Sequence, residues 1–298
     1  PEDDYVLSRE ELINAVKGMD GIVSLLTDKI DAEIMDAAGQ QLKIIANYAV
    51  GYDNIDIKAA STRNILVTNT PGVLTDATAD FAWALLMATA RRISESERYS
   101  RALKYKAWGP KLMLGGDFVG RTLGIIGAGR IGATFAKRSI GWNMRVLYAD
   151  QIENKELQET LGAQKVELDT LFAESDYISI HVPLLPSTHH LINETTLRKM
   201  KPTAYLVNTS RGPVVDEAAL AKALKENVIA GAGLDVYERE PEIHPDLCGL
   251  ENVVLAPHIA SATRETRNKM ATMAAENAIA ALSGKKPQNT INPEIWKE

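Results

Sequence analysis

Arg211, Glu240 and His258 are of types that could perform proton chemistry on a carboxylic acid substrate. Each follows an apolar run of strand character: "AYLVNT" (204–209), "GAGLDVY" (231–237) and "VVLAP" (253–257). In a parallel sheet, the loops after consecutive strands share one edge, where functional groups collect. A guanidinium clamps a carboxylate bidentately. An imidazole passes a proton to or from a substrate oxygen. A carboxylate beside that ring orients it and stabilises its protonated form. On this reading Asp235 lies within its strand and Glu240 just beyond it, before Pro241.

A second constellation precedes these. "TLGIIGAGRIG" carries Gly127, Gly129 and Gly132 in G-x-G-x-x-G spacing, with an apolar strand before it and a helical pattern after it. Asp150 ends the next strand, "MRVLYAD" (144–150). In this context the first glycine permits a tight turn, the second lets backbone approach a pyrophosphate, and the third lets helix pack on strand. The helix amides then face the phosphates. Asp150 is placed to accept hydrogen bonds from the ribose, and no arginine follows it within "QIENK" (151–155), so the expected cofactor is NAD.

The elements that must position these residues alternate throughout. "GIVSLL" (21–26), "LKIIANYA" (42–49), "ILVTNT" (65–70), "TLGIIG" (122–127) and "YISIHV" (177–182) also read as buried strands, and stretches such as 130–141, 153–162 and 216–226 as amphipathic helices. Apolar strands separated by helices predict parallel sheets covered on both faces. A long helix follows a candidate N-cap at Thr75, apolar nearly all round through Phe81, Trp83, Leu85, Leu86 and Met87. Such a helix belongs at a domain junction or a subunit interface, and a homodimer is expected on it and on the segment running to Asp117. Another helix runs from near Thr263 to Gly284. The expected fold is α/β, two Rossmann-like or flavodoxin-like parallel-sheet domains with the cofactor domain inserted into the substrate domain. The substrate domain takes 1–73 and 262–298, the NAD-binding domain 74–261.

Composition narrows the classes. The net charge of -6 argues against nucleic acid, which needs a basic face. No apolar run reaches the length of a membrane span and no signal-peptide pattern opens the chain. Cys248 is the one cysteine, in keeping with a reducing cytoplasm. No metal site is expected.

Several stretches together resemble the D-isomer-specific 2-hydroxyacid dehydrogenases: "NYAVGYDNID" (47–56), "NTPGVLTDATAD" (69–80), "GRTLGIIGAGRIG" (120–132), "HVPLLPSTHHLI" (181–192), "NTSRGPVVDE" (208–217), "GAGLDVYEREP" (231–241) and "APHIASAT" (256–263). The first two are most similar to the glyoxylate and hydroxypyruvate reductase branch. The resemblance implies that Arg211 binds a 2-keto acid, that His258 paired with Glu240 supplies the proton, and that backbone amides near Val50 and Gly51 hold the carboxylate. It implies that Leu26 lines the substrate pocket and Asp235 holds the nicotinamide carboxamide. Thr75, Arg130, Ile131, Pro183 and Thr209 complete the expected cofactor contacts. Trp108 aligns with an aromatic that reaches a partner's substrate pocket. His181, His189, His190 and His244 match no catalytic position and read as structural or exposed.

The implied activity is NAD(H)-dependent reduction of glyoxylate or hydroxypyruvate to the D-2-hydroxy acid. The alternatives are a dinucleotide-sensing, corepressor-like binding protein or another D-2-hydroxyacid dehydrogenase, acting on D-lactate or D-glycerate. Formate dehydrogenase pairs its histidine with glutamine, against Glu240, and the regulatory domain of phosphoglycerate dehydrogenase finds no counterpart here. Two departures stand out. Ala260 replaces the usual glycine of "PHIAS", and Pro1 falls just after the second strand of the family, so a preceding strand, helix and strand are expected in the natural protein.

Overall fold

A computed structural model of the chain describes residues 5–296. Pro1, with the expectation attached to it, lies outside the described residues. The chain divides between Leu74 and Thr75 and again between Ala262 and Thr263, giving two compact units.

Among its described residues the first unit holds three parallel strands, β1 (Gly21–Ser24), β2 (Ile44–Asn47) and β3 (Leu66–Thr68), in that spatial order. Ile44, Ile45 and Ala46 are fully buried because helices cover both faces of β2. The helix Arg264–Leu282 packs on β1 and β2. It starts as expected, with Thr263 capping Thr266 N–H at 3.1 Å, and Gly284 at φ +72 follows its end. Among the described residues β1 pairs only with β2, and Val23 and Leu25 near its open edge are half exposed. An unpaired edge with apolar side chains is a site for strand addition.

The second unit is a seven-stranded parallel sheet. Its strands are β4 (Thr122–Ile126), β5 (Arg145–Ala149), β6 (Gln164–Lys165), β7 (Tyr177–Ile180), β8 (Tyr205–Asn208), β9 (Gly231–Leu234) and β10 (Val253–Leu255), in the order β10-β9-β8-β7-β4-β5-β6. The order reverses between β4 and β7, and such switch points leave a crevice for ligands at the carboxyl ends of the strands. One core, around Phe172, Leu206 and Leu234, and another, around Trp83, Phe135 and Tyr148, are built on this sheet.

The apolar helix spans Thr75–Ala90 and packs on β8, β9, β10 and the helix Arg130–Lys137. Trp83 stacks on Phe135 at 4.7 Å and donates from Nε1 to the Phe135 carbonyl at 2.8 Å. Much of its apolar surface is therefore used inside its own unit, while Phe81 and Met87 are only half buried. Thr75 is the first helical residue rather than the residue before the helix. A further helix, Ile93–Arg101, buries none of its residues. The β9 strand stops at Leu234, so Asp235 lies just past it and not within it. The ladder ends there because the strand continues into the turn that carries Glu240.

Candidate active site

The glycine turn follows β4. Gly127 sits at φ +93, a left-handed conformation that a side chain would strain. A Cβ on Gly132 would stand 2.0 Å from the Gly127 carbonyl oxygen, so only glycine lets the helix start this close to the strand. A Cβ on Gly129 would meet nothing within 4 Å, leaving open space above the turn. Arg130 and Ile131 open the helix Arg130–Lys137. Asp150 directly follows β5. Its Oδ2 accepts from Ala128 N–H at 2.7 Å and its Oδ1 from Ile152 N–H at 3.0 Å. The helix that follows is capped by Asn154, not by Asp150. The carboxylate is half-buried, and two ionised oxygens have about four acceptor sites, so capacity remains for a ribose.

Further along the same sheet edge, Thr209 follows β8. Its hydroxyl is buried and has no hydrogen-bond partner among the described residues. A buried unpaired hydroxyl needs a partner, and a dinucleotide would supply one. Pro183 lies exposed after β7. Open space over Gly129, an orphaned hydroxyl at Thr209 and an acid at Asp150 together fit a dinucleotide.

Arg211 lies in the turn after β8. Buried Asn208 shapes that turn: its side-chain oxygen accepts from Ser210 N–H and Oγ at 3.0 and 2.9 Å, and its amide donates to the Arg211 carbonyl at 2.9 Å. A Cβ on Gly212 would lie 1.8 Å from the carbonyl carbon and oxygen of Tyr237, so the Arg211 turn rests directly on the Glu240 turn.

Glu240 and His258 meet as the sequence led us to expect. Glu240 Oε2 lies 2.8 Å from His258 Nδ1, and Oε1 accepts from Tyr237 N–H at 3.0 Å. Burial tends to raise the Glu240 carboxyl. The His258 hydrogen bond and charge, the Tyr237 amide and the Arg211 charge outweigh it and hold the group below the ordinary carboxylate range. His258 has φ +55, rare for a side chain of its size. Asp235 explains how that conformation is held. Fully buried, it accepts from the Ile259 and Ala260 amides at 2.8 Å each, gripping the loop just after the histidine. Burial raises its carboxyl above the ordinary range against those two amides. Ala260 costs little in place of glycine, because its amide makes this bond whatever its side chain and its φ is not positive.

In the first unit, Leu26 is half-buried just past β1. Val50 and Gly51 follow β2. Their carbonyls accept from Asn69 and Asn47 side chains, at 2.7 Å each, and among the described residues their amides donate to no protein acceptor. Backbone amides left free in this way suit an anion. Of the remaining histidines, His181 packs against Phe135 with the rings tilted at 49°, and burial pushes it down to about 3, so it is neutral. His190 is not merely exposed: its Nε2 lies 2.6 Å from Glu238 Oε1, a contact that sequence spacing did not reveal.

The NAD binding domain model of the D-isomer specific 2-hydroxyacid dehydrogenases matches residues 83–260. A glyoxylate reductase of Korarchaeum cryptofilum is 58% identical over 299 residues, covering 99% of this chain and 90% of the relative. Among solved structures, a glyoxylate reductase from Paecilomyes thermophila superposes with a TM-score of 0.87 at 34% identity, over 96% of this chain and 89% of that one. An NADPH-dependent glyoxylate/hydroxypyruvate reductase from Sinorhizobium meliloti, bound to NADP and malonate, gives 0.85 at 34% identity, over 95% and 87%.

Proposed function

Because this chain belongs to the D-isomer specific 2-hydroxyacid dehydrogenase family and is an enzyme of that kind, we propose that it reduces glyoxylate or hydroxypyruvate to the D-2-hydroxy acid. The observation that carries this is the Glu240–His258 pair, 2.8 Å apart, with the Arg211 charge acting on Glu240 and the glycine turn on the same sheet. The nicotinamide cofactor supplies the hydride when bound. His258 donates the proton to the carbonyl oxygen, and Glu240 keeps the ring oriented and its protonated form favoured. Arg211 clamps the substrate carboxylate and stabilises the charge that develops on the oxygen. Val50, Gly51 and Leu26 remain the proposed substrate contacts of the first unit. Gly127, Gly129, Arg130, Ile131, Gly132, Asp150, Thr75, Pro183, Thr209 and Asp235 remain the proposed cofactor contacts. Turnover of glyoxylate with NADH tests the reading, and a panel of keto acids ranked by kcat/KM would order the substrates. Absence of turnover on the whole panel would leave only the dinucleotide-sensing alternative.

We assign NAD rather than NADP. The Asp150 carboxylate follows β5, and the next residues, Gln151, Ile152, Glu153 and Asn154, offer no cation for a 2′-phosphate. A like-charge pair at about 4 Å costs roughly 1 kcal/mol in water and about 4 at an effective dielectric of 20. We expect kcat/KM to favour NADH by about five-fold to a thousand-fold, and Asp150→Ser with Gln151→Arg to move the preference toward NADPH. A parent that prefers NADPH would refute the assignment.

We also propose a homodimer. Ile93, Leu103, Tyr105, Leu114 and Trp108, the last 81% exposed, are exposed apolar residues in the segment that follows the half-buried Phe81 and Met87 in the chain. A contiguous patch of such residues is rare on a monomer. Light scattering at micromolar concentration should give twice the chain mass; the mass of one chain would refute the dimer. The cytoplasm is the compartment we propose, since Cys248 is an exposed free thiol. Among the described residues no helix is long and apolar enough to cross a membrane.

A further inference from the structure

Two carboxylates outside the proton-transfer pair join the Arg211 turn to the Glu240 turn. Glu217 is the first residue of the helix Glu217–Lys225 and only 3% exposed. Its Oε1 accepts from Glu238 N–H at 2.5 Å and its Oε2 from His244 N–H at 3.1 Å. In return, Glu238 Oε2 accepts from Glu217 N–H at 3.0 Å, and its Oε1 meets His190 Nε2 at 2.6 Å. The two residues thus exchange backbone N–H for carboxylate, while a third bond fixes the far end of the turn at His244. Glu240 lies between the two amides that Glu217 holds.

We propose that Glu217 is a positioning residue for the Glu240–His258 pair, its buried carboxylate gripping both ends of the turn that carries Glu240, with Glu238 and His190 completing the clamp. The proposal rests on the reading of His258 as proton donor.

The chemistry requires a carboxylate rather than an amide. Two N–H donors converge on the group, and a carboxylate offers an oxygen to each. A glutamine offers one oxygen and turns its NH2 toward the other donor, leaving that buried N–H unpaired. The charge itself does not serve stability. Burial, with the Glu238 charge, holds the Glu217 carboxyl above the ordinary range despite the two amides. A folded value raised in this way contributes stability only below the unfolded value and loses it as pH rises, so ionisation of Glu217 works against the fold. The titratable groups facing it are Glu238 and His244, with His190 beyond Glu238.

The test compares the full-length parent with Glu217→Gln. The readouts are the pH dependence of kcat for glyoxylate reduction, the NMR titration of the His258 ring protons, KM for NADH and Tm. We expect kcat to fall about tenfold or more, as for a misplaced catalytic pair. The alkaline limb and the ring midpoint should move to lower pH by about half a unit or more, and KM for NADH should stay within about twofold. A pH profile and a ring midpoint that superimpose on those of the parent would overturn the proposal, whatever happens to Tm. A ring midpoint that shifts in Glu217→Gln while the parent is inactive on glyoxylate would uphold the clamp and refute the proposed activity instead. Should Glu217→Gln fail to fold, Glu238→Gln, which weakens the reciprocal bonds, is read by the same criteria.

Discussion

Replacement of His258 by alanine is expected to lower kcat for keto-acid reduction by about 10²-fold or more, the low end for a positioned general acid, while NADH binding holds. Because His258 has φ +55, alanine also loses a residue fitted to an unusual backbone. His258→Asn is the better control, since asparagine tolerates the left-handed region and cannot donate a proton of comparable acidity. The two variants should lose activity alike. Reduction should weaken as pH rises and the ring gives up its proton, while hydroxy-acid oxidation strengthens. Glu240 does not cause that limb. Its carboxyl is held low, so it is ionised throughout, and its contribution to stability is present above the unfolded value and lost only as pH falls. Glu240→Gln should move the reduction profile to lower pH, because the imidazolium loses its partner. A kcat almost unchanged in His258→Ala would end the assignment.

Gly212→Ala is expected to be nearly as damaging, although the added methyl touches no substrate. Its Cβ would lie 1.8 Å from the carbonyl of Tyr237 and 2.5 Å from Glu238 N. These are backbone atoms, so no side chain can swing away to make room. Either the Arg211 turn or the Glu240 turn must shift by more than 1 Å. A displacement of that size costs about 10²-fold in rate when it separates positioned groups. The loss should fall on kcat/KM for the keto acid, with a destabilisation of about 1–3 kcal/mol or more from overpacking. A soluble variant with parental kcat/KM and Tm would show that the two turns are not locked together.

Much of the parallel-sheet architecture could be read from the chain, because a strand buried on both faces writes a continuous apolar run: nine of the ten strands among the described residues fall within such runs. The exception, β6, has two exposed residues, Gln164 and Lys165, and no apolar signal to give. The Glu240–His258 contact was legible for the same reason, since strand ends place both residues on one edge. The Glu217–Glu238–His190 clamp was not. Its partners are 21 and 48 residues apart, and the Glu217–Glu238 bonds run from side chain to backbone, which leaves no pattern of residue type. The only hint was two acids, Asp216 and Glu217, at a helix start, where acids are favoured in any case. Asp235 was legible as a position but not in its grip on the His258 loop. The helix Ile93–Arg101 was missed because it presents no buried face.

The helix Thr75–Ala90 opens its unit yet packs on β8, β9 and β10, the last strands that unit adds. The first unit is arranged in the same way, its β1 and β2 being covered by the helix Arg264–Leu282. On a ribosome, the segments up to β9 therefore emerge with apolar faces bare, and the units cannot close until β10 and the helix Arg264–Leu282 have been made. Long-range closure of this kind slows folding. The interval of exposure during synthesis, rather than the stability of the finished protein, is then where the chain is most vulnerable to aggregation and most dependent on chaperones.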